Sequence, residues 1–145
     1  MNVFSAMEII SSSLTAQRTR LNLVASNLAN AQTTRTEEGG PYRRKDPVFE
    51  SEPIQNRFQE LLGDRLAKEA QGVRVKDIVV DQTEPQRVYD PGHPDADASG
   101  FVAYPNVNVT EEMVNMIMAS RAYDAGATAM KAMGRVGRSA LNIGG

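Results

Sequence analysis

The segment richest in groups that could do chemistry is Asp90 to Asn106, DPGHPDADASGFVAYPN. Asp95, Asp97, Ser99 and Gly100 have the spacing of the first half of a calcium-binding EF-hand loop, and Val102 fits its apolar position. Such a loop closes on a bidentate Glu at its twelfth position, and here that position is Asn106. Pro94 and Pro105 stand where flanking helices are needed. The expectation is an Asp-rich turn without metal; a Ca-binding module using the loop 90–106 is the alternative reading. His93, the sole histidine, lies one residue before Pro94 and two after Pro91, and reads as a loop residue making a hydrogen bond. Ser11-Ser12-Ser13 lacks the G-x-S-x-G setting of a nucleophile elbow. Gly134 to Ser139, GRVGRS, lacks the spacing and the Lys of a P-loop. Arg43-Arg44-Lys45 reads as a solvated strand edge or as a basic cluster facing an acidic neighbour. No catalytic residue, metal ligand or cofactor is expected, and the chain does not read as an enzyme.

Composition narrows the class further. The chain has 145 residues, a net charge of -2 and no cysteine, so disulfide and thiol chemistry are absent. Its basic residues are not gathered into a nucleic-acid-binding face. It has no apolar run near the roughly 18 residues that a membrane span needs. The opening MNVFSAMEII lacks a basic n-region and carries Glu8, so no cleaved secretory signal is expected.

The elements that must position everything else lie at the two ends. Met7, Leu14, Leu21 and Leu28 recur every seven residues, with Val3, Ile10, Val24 and Ala31 between them. That 3-4 spacing is a heptad seam, which needs a partner helix; Gln17 is its one polar lapse. Ser5-Ala6-Met7-Glu8 has the form of a capping box, which predicts a helix from near residue 6 to about residue 31. Toward the other end, Met113, Met116, Tyr123, Ala127 and Met130 form a second 3-4 pattern. Asn108 is placed to cap that helix, with Glu111 and Glu112 at its positive start and Lys131, Arg135 and Arg138 toward its negative end. Gly126 costs this helix about 1 kcal/mol relative to Ala. With Ala122, Ala125 and Ala129 it leaves a thin face suited to close approach.

All seven prolines lie between Pro41 and Pro105, and the acidic excess lies there too. The insert reads as β-rich. Tyr42–Glu50 is extended, with Pro47 confining it to an edge. Residues 54–70 form a short helix or a mobile loop. Val73–Val80 is the best strand, and Gln86–Tyr89 follows it across a turn, so residues 73–90 are expected to form a β-hairpin. Phe101–Tyr104 is a third short strand. The predicted fold class is α+β: long N- and C-terminal helices form an antiparallel coiled-coil arm, with a small β-rich inserted domain. The expected boundaries are 1–32 for the N-terminal arm, 33–106 for the insert and 107–145 for the C-terminal arm pairing with 1–32.

Three stretches carry a resemblance. Leu21-Asn22-Leu23 with Ser26-Asn27-Leu28-Ala29-Asn30-Ala31-Gln32-Thr33-Thr34-Arg35 resembles the N-terminal signature of flagellar rod and hook proteins, the axial proteins of the bacterial flagellum. Glu111 to Ile117 with Ala119-Ser120-Arg121-Ala122-Tyr123 resembles their C-terminal signature. Val88 to Asp97 and Val102 to Val107 resemble a segment peculiar to one subunit of the proximal rod. The resemblance implies a structural subunit of the proximal rod of the basal body, in the periplasm, self-assembling through its terminal helices and transmitting torque. It implies as partners copies of itself, other proximal and distal rod subunits, the rod-base adaptor and membrane ring, and the flagellar export apparatus that secretes it without a cleaved signal. The expected assembly interface is Met7, Ile10, Leu14, Leu21, Val24, Leu28, Met113, Met116, Tyr123, Ala127 and Met130. The motif residues that carry the resemblance are Asn27, Leu28, Ala29, Asn30, Thr33, Thr34, Arg121, Ala122 and Tyr123.

Overall fold

The structure, a computed structural model, describes residues 3–54 and 71–143. Two long helices frame it. Helix α1 spans Val3–Ala29 and helix α2 spans Val109–Ile143. Between them lie β1 (Lys45–Pro53), β2 (Gln71–Val80), β3 (Gln86–Tyr89) and β4 (Phe101–Tyr104). The architecture is α+β, with the two helices packed antiparallel. Asn27 near the end of α1 meets Glu112 near the start of α2, while Leu14 midway along α1 meets Gly126. At 1.5 Å per residue α2 is about 50 Å long and α1 about 40 Å.

Helix α1 begins upstream of the predicted capping box. Ser5 lies inside the helix and is buried, so it does not serve as the cap. The predicted Asn108 cap does form: its Oδ1 accepts from Thr110 N at 3.1 Å and Glu111 N at 3.3 Å. These two N–H groups have no partner within the helix.

The strands form two separate antiparallel pairs, β1 with β2 and β3 with β4. The predicted 73–90 hairpin is therefore wrong in pairing, though both of its strands exist. Val73–Val80 pairs back onto Lys45–Val48 and Phe49–Ser51, across an irregularity between Val48 and Phe49. Gln86–Tyr89 pairs forward, Val88 opposite Val102 and Tyr89 opposite Phe101. Period-2 patterning identifies a strand but not its partner, which is chosen by burial of a shared face. Of the segment 54–70 expected as a short helix or loop, residues 55–70 lie outside the described residues.

Ser12 bonds helix α1 to the start of β2. Ser12 Oγ donates to Ile9 O at 2.8 Å and accepts from Val73 N at 3.1 Å. A Cβ on the neighbouring Gly72 would lie 2.8 Å from Ser12 Oγ, so a larger residue there would push the hydroxyl off this bond. The turn that leaves α1 closes with Thr36 N donating to Gly40 O at 2.9 Å, and Gly39 and Gly40 both take positive φ there. No described helix is long and apolar enough to cross a membrane.

Candidate functional site: the arm and its buried polar joint

Where the two helices meet the insert, the centre of the molecule is polar. Asn27 and Glu112 are each 1% exposed. Asn27 Nδ2 donates to Glu112 Oε2 at 3.0 Å and to Lys45 O at 2.9 Å. Its Oδ1 accepts from Lys45 N at 3.0 Å and from the Tyr42 hydroxyl at 3.0 Å. The amide thus exchanges both backbone bonds with Lys45, as a neighbouring strand would, and closes the start of β1 onto α1. Ser26 Oγ lies 3.3 Å from the Tyr42 hydroxyl. On the other side, Arg44 Nε donates to Glu112 Oε1 at 2.8 Å, and its Nη1 donates to Asp46 Oδ2 at 2.7 Å. Burial opposes the Arg44 charge, but the bonds to Glu112 and Asp46 outweigh it and raise its pKa above the ordinary value. Both Glu112 oxygens therefore have donors, the condition under which a buried carboxylate is tolerated. One cluster of side chains ties α1, α2 and β1 together.

The remaining N-terminal motif residues extend this joint. Asn30 Nδ2 donates to Ser26 O at 2.9 Å, and Thr33 Oγ1 donates to Asn30 Oδ1 at 3.2 Å. Thr34 Oγ1 donates to Asp95 Oδ2 at 2.8 Å, and Arg35 approaches the same carboxylate at 3.8 Å. The motif thus shapes the chain's exit from α1 and holds the 90–106 loop against it. Leu28 is half-buried and Ala29 exposed.

The Asp-rich loop is a hydrogen-bonded turn. Asp97 Oδ1 accepts from Ser99 N at 2.8 Å and Phe101 N at 3.0 Å, and Arg87 donates to its Oδ2 at 2.8 Å. The Phe101 amide first, then that of Ser99, with Arg87 adding to them, hold this carboxyl below the ordinary aspartate range. His93 Nδ1 accepts from Asp95 N at 3.1 Å, the local hydrogen bond expected of it. Among the described residues no three His, Asp or Glu side chains cluster in a way that could hold a metal ion.

The predicted seam divides between the two helices. On α1, Val24 is buried, and Met7, Ile10, Leu14, Leu21 and Leu28 are half-buried. On α2, Met116, Ala127 and Met130 are half-buried, whereas Met113 and Tyr123 face outward. The α2 side that meets α1 carries Glu112, Ala119 and Gly126, seven residues apart. Ala119 is fully buried, and a Cβ on Gly126 would lie 3.0 Å from Leu14 Cδ2. Arg20, which lies outside the 3-4 pattern of α1, reaches across to α2 and donates to Asn115 Oδ1 at 3.3 Å. Its long stem lets a residue beside the seam cross it. Gln17 Oε1 is buried on this seam without a hydrogen bond. Arg121 and Ala122, like Tyr123, are exposed.

Along its outer face α2 leaves Val109, Met113, Val114, Ile117 and Met118 about half exposed. Of these five, only Met113 belongs to the predicted seam. The pairing of Arg44 with Glu112 was not predicted either. The i, i+4 spacing of Val109, Met113 and Ile117 was the available signal.

The geometry is that of a structural protein built on a two-helix arm. Residues 7–35 match the family described as Flagella basal body rod protein, and residues 98–143 match that described as Flagellar basal body rod FlgEFG protein C-terminal. The chain is 43% identical over 150 residues to the flagellar basal-body rod protein FlgC of Borreliella burgdorferi, covering 99% of this chain and 98% of that one. It is 39% identical to FlgC of Bacillus subtilis, covering 99% of each. To FlgC of Escherichia coli O6:H1 it is 38% identical, again covering 99% of each. The chain belongs to the FlgC family of flagellar basal-body rod proteins.

Proposed function

We propose that the protein is a non-enzymatic structural subunit of the proximal rod of the flagellar basal body, which assembles through its terminal helices and passes torque along the rod. The single observation that carries this is the outer stripe of α2. Val109, Met113, Val114, Ile117 and Met118 are left open by a chain whose other long helix is already spent on the opposite side of α2. An apolar stripe of that kind on a soluble helix marks a contact with another protein. The buried joint supports the mechanical half of the reading, because a fully bonded polar cluster fixes one geometry between arm and insert.

Within this reading the partners are copies of the chain, other proximal and distal rod subunits, the rod-base adaptor and the membrane ring. The rod lies in the periplasm, and the flagellar export apparatus delivers the chain without a cleaved signal. The interface combines the outer stripe of α2, including Met113 and Tyr123, with those edges of Met7, Ile10, Leu14, Leu21, Leu28, Met116, Ala127 and Met130 that the helix pair leaves uncovered. Arms 1–32 and 107–145 then form the rod wall, and residues 33–106 face outward.

The test is Ile117→Asp in a strain whose own gene is deleted. Ile117 is 52% exposed, so the variant folds as wild type by circular dichroism. Swimming and basal bodies with completed rods are expected to be lost. Normal swimming at normal protein level refutes the α2 stripe as an interface.

A further inference from the structure

The insert is made of two-stranded ribbons, β1 with β2 and β3 with β4, so each of its four strands has an outer edge. A bare edge is a template for another strand. In an antiparallel ladder alternate residues turn their N–H and C=O away from the partner strand. On β1 the odd-numbered residues turn outward. Arg44 O accepts from Asp81 N at 2.8 Å within the pair, whereas both backbone groups of Lys45 turn out to Asn27. The Asn27 amide thus closes the edge at Lys45, and Pro47 and Pro53 have no N–H to give. Phe49 and Ser51 remain as the outward donors of β1 without a partner among the described residues.

On β2 the outward residues are those opposite, Val80, Ile78, Val75, Val73 and Gln71. Val73 N donates to Ser12 Oγ at 3.1 Å, and Ile78 N donates to Asp77 Oδ1 at 2.8 Å. Val80 O accepts from Gln82 Nε2 at 3.3 Å. No two successive outward residues of β2 are wholly free. In the second ribbon, Asp97 N donates to Phe101 O at 2.8 Å and Asp97 Oδ1 accepts from Phe101 N at 3.0 Å, so one residue closes both outward groups of Phe101. Pro105 ends the edge of β4 and leaves Ala103 alone on it. Arg87 and Tyr89, opposite Ala103 and Phe101, turn outward on β3 between Pro85 and Pro91.

We propose that these separate closures form a device against strand addition, which keeps the insert of one copy from pairing edge to edge with the insert of a second. Side-chain amide, serine hydroxyl, aspartate and proline each interrupt a different edge, and no edge keeps more than two outward residues in succession. The β1–β2 ribbon is the one that most needs it, because Val48, Phe49, Ile78 and Val79 are all exposed on it. Its irregularity between Val48 and Phe49 breaks the ladder once more. The edges are closed in the single chain, whatever it assembles into, and contacts between crowded copies are left to the helix faces.

The double variant Pro47→Thr, Pro53→Thr restores both donors and gives β1 four successive outward residues, 47, 49, 51 and 53. Residue-resolved hydrogen exchange of the full chain reads the result. In wild type the Phe49 and Ser51 amides are expected to exchange equally fast at about 10 and 300 µM protein, whereas in the double variant they are expected to slow at least about fivefold over that range. Light scattering is expected to show a matching rise in mass. Pro41→Thr, outside the strands, is expected to behave as wild type. If the double variant loses its native circular dichroism, Pro53→Thr alone decides, since Pro53 is exposed at a strand end and its replacement leaves three successive donors; slowing of at least about twofold is expected there. Concentration-dependent protection of Phe49 and Ser51 in wild type overturns the proposal, because the edge is then itself a docking site. So does unchanged exchange in the folded double variant, or in Pro53→Thr where the double variant is unfolded. Equal slowing in Pro41→Thr overturns it too.

Discussion

Glu112→Ala tests the joint at its most demanding point. The carboxylate is 1% exposed and accepts from Arg44 Nε at 2.8 Å and Asn27 Nδ2 at 3.0 Å. Removing one partner of a fully buried ion pair costs about 3–5 kcal/mol. The Arg44 side chain is 20% exposed and keeps Asp46, and Asn27 Nδ2 keeps the Lys45 carbonyl, so neither is wholly orphaned. That lowers the expected loss to about 2–3 kcal/mol. Glu112→Gln is a sharper probe because it keeps the shape. Both contacts need an acceptor and Gln offers only one, so its NH₂ faces a donor in either orientation and about 1–2 kcal/mol is lost. Urea unfolding followed by far-ultraviolet circular dichroism reads both variants. With a slope of about 1–3 kcal/mol per molar urea, the Ala midpoint falls by roughly 0.7–3 M. A double-mutant cycle with Arg44→Met should return a coupling of about 1.5–3 kcal/mol, the range for charged hydrogen bonds. Losses within about 0.5 kcal/mol of zero for both Glu112 variants, the ordinary surface value, would show that the cluster does not hold the arm to the insert.

Gly126→Val should destabilise the helix pair by about 1–3 kcal/mol through overpacking, because even a Cβ there sits 3.0 Å from Leu14 Cδ2; thermal unfolding checks it, and a raised melting temperature would refute the close contact. The Asp97 carboxyl, held down by the Phe101 and Ser99 amides and by Arg87, should titrate below the ordinary aspartate value of about 3.9. Its contribution to stability is complete above that unfolded-state value and is lost as the pH falls through the lowered folded-state value. Carboxyl carbon NMR measures the midpoint, and one at or above the ordinary value would refute the turn geometry. Calorimetry with millimolar Ca²⁺ should show no saturable heat, since Asp97 is occupied by two amides and Arg87, and Asp95 by Thr34; a clear isotherm would restore the calcium reading.

Local pattern made the two helices and most strands legible. A heptad repeat, an Asn cap and a proline-free run are properties of a few consecutive residues, so α1, α2 and the Asn108 cap could be read without a partner in view. β-branched runs did the same for Val73–Val80, and Asn106 in place of a Glu weakened the calcium reading without any coordinates. Pairing is not a local property. Gln86–Tyr89 could turn back onto Val73–Val80 or forward onto Phe101–Tyr104. The choice lay with β4, where Val102 is 0% exposed. Nor could spacing show which side of α2 turns inward. The methionine stripe is the more hydrophobic candidate, yet Met113 faces out and Glu112 faces in. Arg44 and Asn27, 68 and 85 residues away in the chain, supply the hydrogen bonds that make burying that carboxylate tolerable. Burial of a charge depends on partners that only the folded chain brings together. The sequence therefore determined that there would be two helical arms, and the tertiary structure decided which faces they spend on each other and which they leave exposed.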